Sequence, residues 1–455
     1  MNAAVAKEPR TTRRQWAPLA GIMTLSAMGA FGSGLLRAVS SKVIAAVAGP
    51  AALGLLGTLQ QISQTALTAA TANGGTALAR GASAFEGIER REFVRTAAVI
   101  FLFATALVAL IVWIEPAEIA KLGGLPESSV GLVKWIAPIV AVSAAYVFLT
   151  SLLNALGAAR KLALLQLAGP GAMAILAWPV ARRAGSPIAF PLMLVAAASV
   201  TVTAALPALR PYRHALAAWF IGEGGWWRQR SLGQFLSISG AMLATGLVGS
   251  AMLTYIRSRI IKSQGLAEAG QFDAAWGISM NQVSLVLASL QTHYLPGMAR
   301  ARTMREKREK IASVLMLAAP ASAVVIAMIA AAKPFWLGLF YSAEFRHASL
   351  YLRWTLLGDY LKVASWILSI PMLAAADVRT FLIADLSACA AFVVSAVELA
   401  RFRTPAEAAA IGFVLMNAVH LAVGAFCIRL RGLPVVVWAA GLGLVTGVSF
   451  LEWNA

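Results

Sequence analysis

Residues 93–114 read FVRTAAVIFLFATALVALIVWI, in which Arg95 is the one charged side chain. A helix of about 20 mostly apolar residues spans the hydrocarbon core of a bilayer. In lipid the helix is also the form that satisfies its own backbone hydrogen bonds. This stretch therefore reads as a transmembrane helix, and the same reading extends in both directions. Upstream it applies at residues 16–47 and 51–79, and downstream at 130–156, 162–180, 188–209, 232–261, 269–295, 311–332, 350–375, 381–399 and 406–428. Residues 434–451 form a weaker extra span. The expected fold is an all-α polytopic membrane protein of about 12 transmembrane helices.

Composition agrees with that pattern. Of 455 residues, 60% are hydrophobic and 13% charged, with a mean hydropathy of +0.76. A soluble domain with solvated faces is far less apolar, which excludes a soluble enzyme. The net charge of +19 raises the question of a nucleic-acid partner, but the cations cluster in short tracts between apolar stretches. Arg80, Arg90, Arg91 and Arg95 occupy one such tract, Arg160 and Lys161 the next, then Arg210 to Arg230, Arg300 to Lys310, and Arg429 with Arg431. Cations at alternate connections are the mark of cytoplasmic loops, so the expectation is a bacterial inner-membrane protein with its N-terminus in the cytoplasm and no nucleic acid bound.

The longest polar connection, residues 210–230, divides the chain into an N-terminal six-helix bundle (1–209) and a C-terminal one (231–430), with 431–455 as the additional span. Gly222, Gly224, Gly225, Trp226 and Trp227 suit an interfacial linker. A faint repeat supports two related halves: KVIAAVAGPAALGLL from Lys42 and RIIKSQGLAEAGQF from Arg259 each run from a basic helix end through a short turn into a glycine-bearing helix start.

Ionisable groups inside a membrane cost about 2.5–3.5 kcal/mol each on insertion scales, so they are the default candidates for function. Arg37 and Lys42 lie in the second half of the first span, and Arg257, Arg259 and Lys262 at the corresponding place in the seventh. Two readings stay open for these outer-half cations: snorkelling to headgroups, or a shared cationic cavity for an anionic cargo. Arg37 and Lys42, five positions apart, stand roughly 140° apart around a helix and do not form one stripe. Asp359 and Lys362 lie three apart on one helix face, where they can neutralise each other as a structural pair or serve in ion coupling. Asp273 is placed to pair with Arg259 or Lys262. Gln60, Gln64, Thr68 and Thr71 give the second helix a polar stripe expected to face the bundle interior. Pro138, Pro170, Pro179 and Pro191 interrupt apolar stretches, and Trp113, Trp135, Trp336, Trp438 and the His293–Tyr294 pair read as interfacial anchors. Cys389 and Cys427 form no disulfide or metal pattern, the four histidines have no metal spacing, and no phosphate-binding glycine loop is present. The sequence implies no enzyme, no metal and no cofactor; transport would be driven by an ion gradient or the membrane potential.

Three segments, KVIAAVAGPAALGLLGTLQQIS, YLPGMARARTMREK and FYSAEFRHASLYLRWTLLGDYLKVASWILSIPMLAAADVRTFLIAD, resemble Wzx-type polysaccharide flippases of the MOP superfamily. Within them the likeness is to the lipid III flippases of enterobacterial common antigen. The resemblance implies two MATE-like six-helix bundles related by a pseudo-twofold axis around a central cavity. It also implies a cargo: an undecaprenyl-diphosphate-linked oligosaccharide, of lipid III, O-antigen or exopolysaccharide type, moved from the cytoplasmic to the periplasmic leaflet by alternating access. The resemblance bears on Lys42 with Gly49–Pro50, on Arg300 after Tyr294–Leu295–Pro296, and on Asp359 with Lys362. Membrane lipid is a further expected partner, together with a polysaccharide polymerase and a chain-length regulator. A cation-coupled multidrug antiporter of the same superfamily is the alternative, and its cavity should be acidic. A membrane-embedded glycosyltransferase, which needs carboxylates in a long outer loop, ranks last because the outer loops are short.

Overall fold

The structure is a computed structural model, and it describes residues 12–183, 185–300, 303–374, 377–428 and 435–451. Every regular element among them is helical. In the first half these are α1 (Thr12–Ala70), α2 (Gly75–Ala84), α3 (Gly87–Ile114), α4 (Pro116–Leu122), α5 (Val130–Val133), α6 (Ile136–Ala155), α7 (Ala159–Leu165), α8 (Ala168–Arg182) and α9 (Ala189–Leu209). α10 (Arg213–Phe220) lies in the linker. The second half holds α11 (Gln229–Arg300), α12 (Met304–Ala331), α13 (Lys333–Phe340), α14 (Ala348–Ala374), α15 (Val378–Leu399), α16 (Pro405–Ile428) and α17 (Val435–Ser449).

α1 and α11 are each two helices joined at a glycine. Gly49 has φ 76° and ψ −175°, and Gly265 has φ 88° and ψ 174°. Both values lie where a Cβ is disfavoured, so glycine is the residue that lets the chain fold back there. Arg257 and Asp273 stand equally far on either side of Gly265 and touch each other, so the two limbs of α11 run side by side. The faint repeat in the sequence is thus a pair of equivalent hairpins, one in each half. Nine described segments are long and apolar enough to cross a membrane. Two of them contain these hairpins and count twice, and α14, interrupted by Arg353, Asp359 and Lys362, adds a twelfth leg.

The apolar surface faces outward as well as inward. On α3 the buried positions gather at its start, Phe93 to Ala97, whereas Leu102 and Phe103 are 74% and 69% exposed. An exposed apolar band of this kind fits a lipid solvent. Inside, one core lies mainly in each half, and Ala45 and Leu53 of α1 join that of the second. Ile44, Leu55, Leu59, Val140 and Phe190 pack together in the first. In the second the core is aromatic, with Trp276 set edge-on to Phe413 at 4.9 Å and Phe272 stacked on Trp276 at 5.7 Å.

Several local expectations are corrected. The second helix ends at Ala70 rather than near 79, because Ala72 and Asn73 take left-handed φ values of 48° and 46° and the Asn73 amide donates to the Met242 carbonyl of α11 at 2.5 Å. Pro138, Pro170 and Pro191 stand in the first turn of α6, α8 and α9 rather than interrupting them, where a missing N–H goes unused; Pro179 lies inside α8. Trp438 packs on Tyr360 at 4.6 Å instead of anchoring at an interface, and the buried Tyr294 donates to the Ile367 carbonyl at 3.2 Å. Arg95 is no loop cation. It is 2% exposed, and its two terminal nitrogens donate to Gly224 O at 2.5 Å and Gly222 O at 3.0 Å. The linker is thereby pinned to α3, aided by ion pairs from Arg228 to Glu92 and from Arg230 to Glu89. α17 packs against the second half, with Gly441 so near the Tyr360 hydroxyl that a Cβ there would stand 2.1 Å from it.

Candidate functional site

The halves meet most closely at the end that carries the two glycine turns. A Cβ on Gly54 of α1 would lie 2.1 Å from Leu266 O, and one on Gly270 of α11 would lie 2.0 Å from Pro50 O. Small residues let the backbones of two membrane helices come into contact. Lys42, on the first limb of α1, reaches across to the far half and donates to the carbonyls of Gly338, at 2.5 Å, and Tyr341. These are the free carbonyls at the C-terminus of α13, where a cation is favoured. From this end the second limb of α1 runs antiparallel to the first limb of α11. Gln61 donates to Ser250 O at 3.2 Å and Thr65 meets Thr254 at 3.1 Å. The polar face that bridges the halves is therefore Gln61 and Thr65, beside the expected Gln60, Gln64, Thr68 and Thr71 stripe. Thr68 and Thr71 bond to carbonyls of their own helix.

Away from that seal the halves part around a cavity of about 730 Å³. Its walls are the first limb of α1, the start of α8 and Thr201 of α9 on one side, and the second limb of α11 with α13 on the other. Phe31, Leu35, Ile278 and Phe340 make it largely apolar, and Trp336, expected at an interface, lines it too. Arg37 is the one Lys, Arg, Asp or Glu among the described lining residues. Its Nη2 donates to Ser33 Oγ at 3.1 Å, one bond of the five that a guanidinium can donate. The rest of the guanidinium is open to the cavity.

The other expected cations are not brought to this cavity. Lys42 is spent on α13. Arg257 Nη1 donates to Asp273 Oδ2 at 2.7 Å, with Nη2 at 2.6 Å from Oδ1, so the partner of Asp273 is Arg257 and neither Arg259 nor Lys262. This ion pair is packed beneath Gly57 of the first half, where a Cβ would lie 2.0 Å from the carboxylate. Arg259 is exposed, with the Tyr255 hydroxyl 3.5 Å away, and Lys262 is exposed as well. Arg37 and Lys42 thus diverge: Arg37 lines the cavity, whereas Lys42 is not among the lining residues and bonds the carbonyls at the end of α13. The side chains of Arg300 and His293 lie outside what the structure describes.

Asp359 is fully buried and held by α11, with Ser279 Oγ donating to Oδ1 and Gln282 Nε2 donating to Oδ2, each at 2.8 Å. Among the described residues no ion pair joins it to Lys362, contrary to the spacing argument. Lys362 Nζ lies 3.5 Å from Met280 Sδ and 5.4 Å from the centre of the Phe413 ring, with Asp385 of α15 as the second carboxylate acting on it. Gln282 matters because it also lines the cavity, so the buried carboxylate is one side chain behind the wall. Sequence spacing on one helix could not show that link, since Ser279 and Gln282 come from another. Replacing Asp359 with Leu strands both donors and is expected to destabilise the protein by about 1–3 kcal/mol per orphaned group. Replacement with Asn keeps an acceptor and should cost less. Thermal unfolding in detergent reads the difference, and a Leu variant as stable as the parent would remove the structural part of this assignment.

No protein-family model matches the sequence, and no curated protein matches it significantly. Solved structures do match its fold. An inward-facing multidrug resistance MATE family transporter of the MOP superfamily is similar at a TM-score of 0.66, with 17% identity over 95% of this chain and 96% of that one. The lipid II flippase MurJ in an inward closed conformation gives 0.72, with 12% identity over 95% and 94%. The Vibrio cholerae MATE transporter VcmN, in the form of a point mutant, gives 0.60, with 16% identity over 96% and 100%. The chain thus has the fold of MOP-superfamily transporters: an all-α membrane architecture of about twelve helices in two bundles.

Proposed function

We propose that this protein is a flippase that moves a polyprenyl-diphosphate-linked oligosaccharide across a bacterial inner membrane by alternating access, the cargo being of the undecaprenyl type that the Wzx and lipid III flippase resemblance implies. The observation that supports the reading is the cavity between the halves, with apolar walls, an open guanidinium at Arg37 and no lining carboxylate among the described residues. A diphosphate entering hydrocarbon needs a cation to offset the loss of water, and a planar guanidinium matches phosphate oxygens. A cationic drug would be repelled by the same site, which disfavours the multidrug antiporter. The flippase and multidrug names among the structural neighbours belong to those proteins; the fold admits either cargo.

In this reading the glycine-turn end is periplasmic, the cavity opens toward the cytoplasm, and Asp359 behind Gln282 is the candidate for coupling to an ion gradient. A polymerase and a chain-length regulator would receive the cargo on the far side. The direct test is reconstitution into vesicles with a fluorescent polyprenyl-diphosphate oligosaccharide. The proposal expects leaflet exchange above that of protein-free vesicles; exchange of a cationic dye with none of the lipid would favour the antiporter. Orientation is read separately. A cysteine at Arg305 in a background lacking Cys389 and Cys427 is expected to resist a membrane-impermeant thiol reagent in intact cells. Labelling there as fast as in broken cells would invert the topology.

A further inference from the structure

A second cavity, of about 360 Å³, lies within the first half beside the larger one. Tyr146 and Gln166 line both, so the two volumes adjoin. The character of the wall changes at that junction. The larger cavity is dominated by aliphatic and aromatic side chains around Arg37, whereas the smaller one presents Thr76, Thr150, Ser151, Asn154 and Gln166 and no Lys, Arg, Asp or Glu. We propose that this smaller cavity is a binding site for the uncharged sugar rings of the cargo, with the diphosphate at Arg37 and the lipid along the apolar wall.

The hydrogen-bond inventory carries the assignment. Thr150 and Ser151 give their hydroxyl protons to carbonyls of their own helix, at Tyr146 and Val147, which leaves oxygen lone pairs aimed outward as acceptors. Thr76, Asn154 and Gln166 are exposed to the space, and among the described residues none of their side chains has a partner. Each amide offers two donor hydrogens and one acceptor oxygen. A wall with neutral donors and acceptors suits a molecule that carries both in every hydroxyl. It gives no counter-charge to an acidic or amino sugar. Gly75 brings α2 against α6, since a Cβ there would stand 3.1 Å from Ser151 Oγ, which sets the depth of the space. Its volume falls in the usual range for small-ligand sites, about 300–1,000 Å³.

This inference rests on the flippase reading, and the test separates the two. Purified protein in detergent is titrated with farnesyl diphosphate and with farnesyl diphosphate linked to a neutral N-acetylglucosamine disaccharide. The wild type is expected to prefer the glycosylated probe by about tenfold or more, the effect of a few neutral hydrogen bonds. The Thr76→Val/Asn154→Ala variant, altered at two cavity-facing positions with no described bonds to lose, is expected to bring that preference close to one while binding farnesyl diphosphate as the wild type does. Retention of the full preference in that variant, or equal binding of both probes by the wild type, would overturn the sugar site and leave the flippase reading standing. Arg37→Gln binding both probes undiminished would overturn the diphosphate reading alone. Binding of neither probe by the wild type sinks both.

Discussion

Arg37→Gln is expected to slow vectorial transfer of the lipid-linked cargo by roughly ten- to hundredfold while leaving the protein folded and abundant. The side chain makes one described bond, to Ser33 four residues away on its own helix, so little structure depends on it. A hydrogen bond to a charged partner contributes about 1.5–3 kcal/mol, which corresponds to roughly ten- to hundredfold in transport at limiting substrate. Arg37→Lys discriminates between two modes of contact. Simple neutralisation predicts a mild loss, and a fork against two phosphate oxygens predicts a loss nearly as deep as that of Gln. Because Lys42, Arg257, Arg259 and Lys262 are absent from the cavity wall, Arg259→Gln and Lys262→Gln should transport at close to the normal rate. A normal rate in Arg37→Gln, with losses at those two exposed positions instead, would place the anion elsewhere.

Asp273→Leu is expected to cost about 3–5 kcal/mol of stability. It leaves Arg257 charged in a place where its side chain is 11% exposed and its partner 8% exposed. Removing one member of a buried pair costs about 3–5 kcal/mol, whereas exchanging both for apolar groups of similar volume is close to neutral. The Arg257→Met/Asp273→Leu double variant should therefore recover most of the stability lost by the single one, a non-additivity that a double-mutant cycle measures. Unfolding in mixed detergent micelles is the readout. Single and double variants of equal stability would show that the pair is solvated in the working protein. Gly57→Ala, whose Cβ would strike the carboxylate, should resemble the single variant although it changes no charge.

Much of the architecture was legible in the sequence because lipid imposes a coarse code: long apolar runs, cations between them, a polar midpoint. The hairpin turns were visible as a repeat around Gly49 and Gly265 because a left-handed turn admits few residues besides glycine. The site was less legible. Periodicity gives the direction of a side chain on its own helix, so the divergence of Arg37 and Lys42 could be read. It does not say which helix lies opposite, so the partners of Asp273 and Asp359 could not. Arg95 was misread for the same reason: a cation near a helix start looks like a loop charge until the linker carbonyls it holds are seen. The polar cavity in the first half left no local pattern at all, since Thr76, Asn154 and Gln166 come from three separate segments.

The pinned linker has a mechanical consequence. Glu89, Glu92 and Arg95 fasten residues 222–230 to the first half, and Asn73 and Gly74 hold the next turns of α11 at Met242 and Phe235. The far end of the same limb, from Ile256 to Ile261, is part of the core of the second half. That limb is a strut held to the first half along much of its length, at Met242, Ser250 and Thr254, and built into the core of the second half at its far end. If the bodies rock, the strain falls within it rather than in the linker.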